Sequence, residues 1–248
     1  VSSYATSPLD RYEAMTVAED AVRLAPSNAA SHTVMGHVLH SMGRLDEAAA
    51  HLAAATKMDP RNEYAYVVEA AIFVRDGRPK GADRARAAYD SAIAASPNVL
   101  RKLTQRRERA FMLFYDGRKA EGQAELAAVA KDYETAGSLG TAAVLWSQAA
   151  GLAAGTGDSA SVERLLGEAR RAGPNANITV QAVQAYALSK QGAQARRELG
   201  EFVRRAVDTT TFVFRSDRHR LTGMTLVAEG NAAEGLAELK LCDIEAND

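Results

Sequence analysis

Apolar residues recur along the chain at the three- and four-residue spacing of amphipathic helices, in short stretches. Many of these stretches end at a glycine or a proline. The glycines that follow an apolar stretch are spaced by 34, 40, 40, 35 and 38 residues and are Gly43, Gly77, Gly117, Gly157, Gly192 and Gly230. This regular spacing predicts a repeated structural unit.

Prolines form a second series, with spacings of 34, 37 and 77 residues, at Pro26, Pro60, Pro97 and Pro174. Glycine accepts the left-handed backbone that ends a helix, and proline cannot continue a helix interior. The two series therefore predict two short helices per unit, with a turn at the glycine and a connection at the proline. The predicted fold class is all-α.

The clearest unit runs from residue 29 to residue 60. Large residues stand at Met35, Leu39 and Leu52, and small residues stand at Gly36, Ala48 and Ala55. Gly43 stands at the turn between the two helices, and Pro60 stands where the second helix ends. In this pattern the unit resembles the tetratricopeptide repeat family. Small residues at Gly36 and Ala48 let two helices cross closely, and Leu39 and Leu52 fill the space beside the crossing.

The resemblance covers residues 8–245 and implies a right-handed superhelical solenoid of antiparallel helix pairs. We expect one repeat domain, preceded by an N-terminal extension at residues 1–7. Its units are predicted at residues 8–26 (a half unit), 29–60, 63–97, 103–134, 138–174, 177–207 and 212–245. Because the half unit lacks a first helix and no polar capping helix follows the last unit, we expect the chain to lie within a longer array.

The charge and the composition of the chain argue against nucleic acids and membranes as partners. The formal net charge is -1 and the sequence pI is about 6.6, so no overall positive field attracts a nucleic acid. No run of about 18 apolar residues is present, so membrane insertion is not expected. Cys242 is the single cysteine and cannot form an intrachain disulfide. The compartment stays open between the cytoplasm and, after removal of a signal peptide, the periplasm.

Two short segments contain residue types that bind metals or catalyse reactions. His37 and His40 are three residues apart, but no third ligand of a fitting type lies nearby, so neither a metal nor another cofactor is expected. Residues 216–220, SDRHR, hold a serine, an aspartate and a histidine whose helical spacing does not form a catalytic triad. We interpret them as the charged first turn of a helix, and we do not expect an enzyme.

The segment from residue 101 to residue 118 departs from the repeat pattern. Arg106 and Arg109 occupy positions where the motif has large apolar residues. The face that lines the concave groove in the family receives Arg107, Phe111, Phe114 and Tyr115. Arginine and exposed aromatic residues are typical of protein-binding surfaces. In the alternative interpretation the two Phe rings pack on a neighbouring helix, and the arginines pair with Glu108, Glu121 or Glu125.

We therefore predict a binding site on the concave face, formed by Tyr64, Arg75, Arg107, Phe111, Phe114 and Tyr115. Its guanidinium groups and rings favour an acidic, amphipathic protein or peptide. The Lys and Asn carboxylate clamp of well-known family members is absent, because the corresponding positions hold Thr33, His37, Val67 and Ala71.

The resemblance implies a scaffold or adaptor that binds proteins or peptides on its concave face. The alternative is a regulatory or targeting segment of a larger enzyme or envelope assembly. The uncapped ends are also compatible with self-association.

Overall fold

A computed structural model of the chain describes residues 8–76, 81–174 and 177–244. Within these ranges the regular secondary structure is entirely α-helical. The thirteen helices of the described ranges are α1 Pro8–Leu24, α2 Ala29–Ser41, α3 Leu45–Met58, α4 Glu63–Asp76, α5 Gly81–Ala95, α6 Val99–Tyr115, α7 Lys119–Thr135, α8 Leu139–Ala154, α9 Ser159–Ala172, α10 Thr179–Leu188, α11 Gly192–Arg205, α12 Phe212–Ala228 and α13 Ala232–Ile244. The prediction of an all-α fold is confirmed.

From α1 to α6, and again from α7 to α13, helices that follow one another in the sequence pack on one another, as they do in a repeat solenoid. The pairs are α2 with α3, α4 with α5, α8 with α9, α10 with α11 and α12 with α13. The first helices of successive pairs also touch, α2 on α4, α8 on α10 and α10 on α12. The fold is therefore an all-α repeat solenoid.

The chain is divided into two compact units, Val1–Gly117 and Arg118–Asp248. The first unit contains α1 to α6, and the second contains α7 to α13. The boundary falls at Gly117, inside the repeat predicted at residues 103–134, so the two helices of that repeat belong to different units.

Glycine ends four of the first helices, as the sequence predicts. The turn residues Gly43, Gly117, Gly157 and Gly230 have φ angles of 79°, 81°, 79° and 92°. Residues that carry a Cβ adopt this left-handed conformation only at a cost. Gly137, with φ of 78°, makes a similar turn between α7 and α8, where the proline series has no member. The turn predicted at Gly77 lies outside the described residues.

The turn between α10 and α11 lies two residues before the predicted Gly192. Lys190 has the left-handed φ, at 60°, and Gly192 is the first residue of α11. A Cβ on Gly192 would lie 2.7 Å from Cγ of Glu229 and 3.0 Å from its backbone nitrogen. Gly192 is needed because α11 approaches the end of α12 closely, and the turn itself does not require it.

Helices α2 and α3 cross so closely that their contact positions must be small. A Cβ on Gly36 would lie 2.7 Å from Cγ of Leu52 and 3.2 Å from the backbone oxygen of Ala48. Ala48 and Leu52 are fully buried, and Leu39 is 1% exposed. The residues that the sequence pattern assigns to the crossing therefore form it.

In the second unit, a buried tryptophan is hydrogen-bonded to the neighbouring helix. Trp146 of α8 donates from its indole Nε1 to Oε1 of Glu134 on α7, at 2.6 Å. Lys131 Nζ lies 2.9 Å from Oε2 of the same carboxylate. The hydrogen bond from Lys131 lowers the pKa of Glu134 below its ordinary value, and the hydrogen bond from Trp146 lowers it by a smaller amount. The one polar atom of the buried ring is thereby satisfied.

We expect Ala48→Leu to destabilise the protein more than Ala50→Leu. Ala48 is fully buried at the α2–α3 crossing, where overpacking costs about 1–3 kcal/mol, and Ala50 is exposed. Urea unfolding of the two variants measures the difference. Equal free energies of unfolding would show that Ala48 does not limit the approach of the two helices.

Candidate functional site

A groove of about 450 Å³ opens on the first helices of the first unit. Helix α2 contributes His37 and His40 to its wall. Helix α4 contributes Tyr64, Val67 and Ala71, and helix α6 contributes Arg101, Thr104, Arg107 and Glu108. Three successive first helices therefore share one concavity, with small aliphatic side chains on α4 and charged side chains on α6.

A buried carboxylate fixes α6 against α4 at one side of the groove. Glu63 is 7% exposed, and its Oε1 accepts a hydrogen bond of 2.9 Å from Nε2 of Gln105. Its Oε2 accepts one of 3.2 Å from Nη1 of Arg101. Gln105 is buried as well. These bonds place the guanidinium of Arg101 at the rim of the groove, with most of its side chain exposed.

Aromatic rings lie on two sides of the groove. His37 packs edge-on against Tyr64, with ring centroids 5.7 Å apart. Burial lowers the pKa of His37, so its imidazole is neutral at neutral pH. Burial, with a smaller effect of the Glu108 carboxylate, raises the pKa of Tyr89 to about 12. The Tyr89 hydroxyl therefore stays protonated and can donate a hydrogen bond to a bound group.

The guanidinium of Arg107 is held by the next residue in the sequence. Its Nε lies 3.0 Å from Oε1 of Glu108, and its Nη2 contacts the same oxygen. Both side chains are about one third exposed. This pairing agrees with the alternative interpretation of the helix, in which the arginines pair with nearby glutamates.

The predicted site residues divide into three groups in the structure. Tyr64, which is 41% exposed, and Arg107 line the groove together. Phe111 is partly buried and packs against the hydrophobic core of the first unit, as the alternative interpretation has it. Phe114 and Tyr115 form an edge-on pair at the end of α6, with centroids 6.3 Å apart. The side chain of Arg75 lies outside the described residues.

The polar groove residues that the sequence reasoning missed include Glu63, Arg101 and Gln105. Arg101, Gln105 and Glu108 follow an i, i+4, i+7 pattern, which places them on one face of a helix. That pattern was available in the sequence. The carboxylate that orients Arg101 and Gln105 is that of Glu63 on α4, 42 residues before Gln105, and no local pattern indicates this pairing.

A second cavity adjoins the groove. It has a volume of about 690 Å³ and lies at the connections that precede α2, α4 and α6. Glu63, Tyr64 and Arg101 line both the groove and this cavity. The two spaces therefore meet at Tyr64.

Two histidines contact each other on the neighbouring helices α2 and α3. Nε2 of His32 is 3.0 Å from the carbonyl oxygen of Pro26, so this nitrogen carries the proton and donates it. Nδ1 of His32 is hydrogen-bonded to Nδ1 of His51 on α3 at 3.0 Å. Burial, and then the neighbouring His32, lowers the pKa of His51, although Glu47 opposes the shift.

The SDRHR segment does not form the first turn of a helix. Helix α12 begins at Phe212, so residues 216–220 lie in its second and third turns. Asp217 pairs with Arg220, and Nδ1 of His219 is 2.7 Å from Oε2 of Glu238 on α13. The aspartate and the histidine of the segment therefore have separate partners, and the histidine joins the last helix pair.

Over the described ranges, no helix has both the length and the apolarity that crossing a membrane requires. In the same ranges, no three His, Cys, Asp or Glu side chains come together as ligands for a metal ion.

Residues 29–62 match the family model described as tetratricopeptide repeat. This is the unit that the residue pattern marks most clearly. No curated protein sequence matches the chain significantly.

Several solved structures share the fold. A tetratricopeptide repeat protein from Parabacteroides merdae ATCC 43184 aligns with a TM-score of 0.65 and 14% identity, over 95% of this chain and 87% of that chain. Pseudomonas aeruginosa pilF aligns with a TM-score of 0.55 and 14% identity, over 90% and 92%. YrrB, a TPR protein with an unusual peptide-binding site, aligns with a TM-score of 0.52 and 13% identity, over 90% and 97%. At these identities the similarity demonstrates the fold alone.

We expect Glu63→Ala to lower the free energy of unfolding by about 1–3 kcal/mol, because the buried amide of Gln105 loses its acceptor. Glu13→Ala, at an exposed position of α1, is the control and should change it by less than about 0.5 kcal/mol. Urea unfolding measures both changes. If Glu63→Ala costs no more than Glu13→Ala, this carboxylate does not hold α6 in place.

Stability should fall on acidification partly because of His51. Its pKa is lower in the folded state, so below the ordinary value of about 6.5 the unfolded state binds more protons. This contribution is present above about pH 6.5 and is lost as the pH falls through the lowered pKa of the folded state. Urea unfolding at about pH 7.5 and about pH 5.5 should show a smaller loss for His51→Gln than for the unchanged chain. Equal losses of unfolding free energy in the two proteins would show that His51 does not contribute to the pH dependence.

Proposed function

Because residues 29–62 match the tetratricopeptide repeat model and solved tetratricopeptide repeat proteins share the fold of the chain, we propose that it is a noncatalytic scaffold that holds a segment of a partner protein in the groove of its first unit. The observation that carries the proposal is the groove itself, in which three first helices combine aliphatic side chains, an exposed tyrosine and two arginines. The peptide-binding site of YrrB, on the same fold, supports this use of the solenoid.

The groove favours a ligand with both apolar and acidic side chains. Val67 and Ala71 offer a shallow aliphatic surface, and the ring of Tyr64 adds contact area at a low entropic cost. Arg101 is exposed for most of its side chain, and its guanidinium can donate hydrogen bonds to a second carboxylate besides that of Glu63. The ligand class is therefore an acidic, amphipathic segment.

The adjoining cavity gives the segment a path. An extended chain that passes Tyr64 would continue from the groove toward the connections that precede α2, α4 and α6. Backbone groups of the ligand would then lie near the side chains of Asn28 and Asn62, which border this cavity.

The end of α6 extends the proposed contact surface. Tyr115 is 75% exposed and leans against Phe114, so its ring offers an apolar face outside the groove. Phe111 contributes indirectly, because its packing on the core holds α6 in position. We include Arg75 in the proposed surface on the basis of the sequence pattern alone.

The test selects ligands first and then removes two groove side chains. Peptides about ten residues long are selected from a random phage-displayed library on the immobilised chain, and their affinity is measured by fluorescence anisotropy. Tyr64→Ala combined with Arg107→Ala should weaken binding by about 2 kcal/mol, roughly a 30-fold increase in Kd. The cause is the loss of an aromatic contact and a guanidinium contact.

The matched control combines Tyr12→Ala with Arg23→Ala, which removes the same residue types from exposed positions of α1. Its affinity should equal that of the unchanged chain. Normal binding by the Tyr64 and Arg107 variant would rule out the groove. Selected peptides rich in Lys and Arg would rule out the acidic ligand class.

A further inference from the structure

The second unit contains a groove of a different chemistry. It has a volume of about 570 Å³ and lies between the second helices α9 and α11, with Thr179 and Tyr186 of α10 at its floor. The groove of the first unit is formed mainly by first helices. One groove of the protein is thus formed mainly by the first helices of the repeats, and the other is formed mainly by second helices.

One face of α11 supplies a wall of this groove that consists of charged residues. The wall residues are Arg197, Glu198, Glu201, Arg204 and Arg205. Their i, i+1, i+4, i+7 and i+8 spacing places them on one side of the helix. Ala195 and Leu199, on the other side, are buried. The burial of one face thus leaves the charged face open to the groove.

The acidic residues of the groove are already engaged by the protein. Arg170 Nη2 is 2.5 Å from Oε1 of Glu198, and the Tyr186 hydroxyl donates to Oε2 of Glu163 at 2.7 Å. The carboxylate of Glu201 is shared by two arginines, Arg204 and Arg205. Carboxylates are therefore fewer than the guanidinium groups that they face.

Among the described residues of the groove, Arg197 is the arginine without a carboxylate partner. It is exposed and lines the groove, and within the described part of the chain it makes no hydrogen bond or ion pair. With four arginines and three glutamates in its lining, the groove has a net charge of +1.

The charge excess extends along this part of the sequence. Residues 163–205 contain eight Arg or Lys and four Glu, a net charge of +4 in a chain whose total is -1. Such a local field attracts an acidic ligand although the whole protein is slightly negative.

We propose that the groove between α9 and α11 binds an acidic, extended segment of a partner protein, with its carboxylates on Arg197 and on the Arg204–Arg205 pair. Charge complementarity supports this occupant, because arginine binds carboxylates in a planar, bidentate geometry. Three glutamates, Glu163, Glu198 and Glu201, alternate with the arginines along the groove. They repel the continuous row of phosphates of a nucleic acid, whereas a peptide can place its N–H groups beside them.

The experiment compares two charge reversals that have the same effect on the total charge. Arg197→Glu changes the groove, and Arg164→Glu changes an exposed position of α9 outside it. The probe is a fluorescein-labelled peptide of alternating Glu and Gly, about ten residues long, at low ionic strength, where charge pairing is least screened. Arg197→Glu should raise the Kd about tenfold, and Arg164→Glu should change it by less than about twofold.

Two further measurements distinguish binding in this groove from a loss of fold and from binding in the first unit. Thermal unfolding of both variants confirms that they are folded, since both positions are exposed. The Tyr64→Ala and Arg107→Ala variant of the first unit should bind the glutamate peptide like the unchanged chain.

Three results would overturn the inference. Equal losses for Arg197→Glu and Arg164→Glu would mean that the peptide senses only the overall field. Loss of binding in the Tyr64 and Arg107 variant would move the peptide to the first unit. Tighter binding of a labelled oligothymidylate of equal charge would identify the groove as a nucleic-acid site.

Discussion

The close approach of the two helices in a pair is the constraint on which the rest of the structure depends. At the α2–α3 crossing, a Cβ on Gly36 would lie 2.7 Å from Leu52. At the α12–α13 crossing, a Cβ on Gly223 would lie 2.6 Å from Leu239 and 2.8 Å from the backbone oxygen of Gly235. Because the glycine at the crossing carries no side chain, the helices approach closely enough for a leucine of the partner helix to pack over it. Each pair then presents its remaining faces to neighbours or to solvent.

The consequences of this packing are visible on α6. Leu103 and Ala110, two turns apart on one side of the helix, are buried in the first unit, so this side of α6 belongs to the core. Arg101 and Arg107 lie on the side that lines the groove. Because buried Glu63 bonds to Gln105 and Arg101, the rotation of α6 is fixed by a hydrogen-bonded polar group as well as by apolar contacts. A satisfied polar contact of this kind selects one helix orientation among several of similar hydrophobic energy.

Two grooves of different chemistry follow from which helix faces are left uncovered. In the first unit, small aliphatic residues of α4 meet aromatic and arginine side chains, which suits a ligand that buries apolar area. In the second unit, the uncovered face of α11 is charged, which suits recognition by ion pairs. Buried apolar contacts contribute mostly to affinity, and complementary charges contribute mostly to specificity and to the rate of association. A scaffold with both kinds of surface can distinguish its partners by charge as well as by shape.

The sequence alone determined the helices, the glycine turns at residues 43, 117, 157 and 230 and the small positions of the α2–α3 crossing, because these depend on residues a few positions apart. Helical spacing, the left-handed turn at glycine and the break at proline all act locally. Only the tertiary structure decided that Phe111 faces the core, that His51 bonds to His32 and that Glu63 holds Gln105. These contacts join different helices, so they depend on how each helix is rotated about its axis. That rotation is set by packing against neighbours, which a pattern within one helix does not contain.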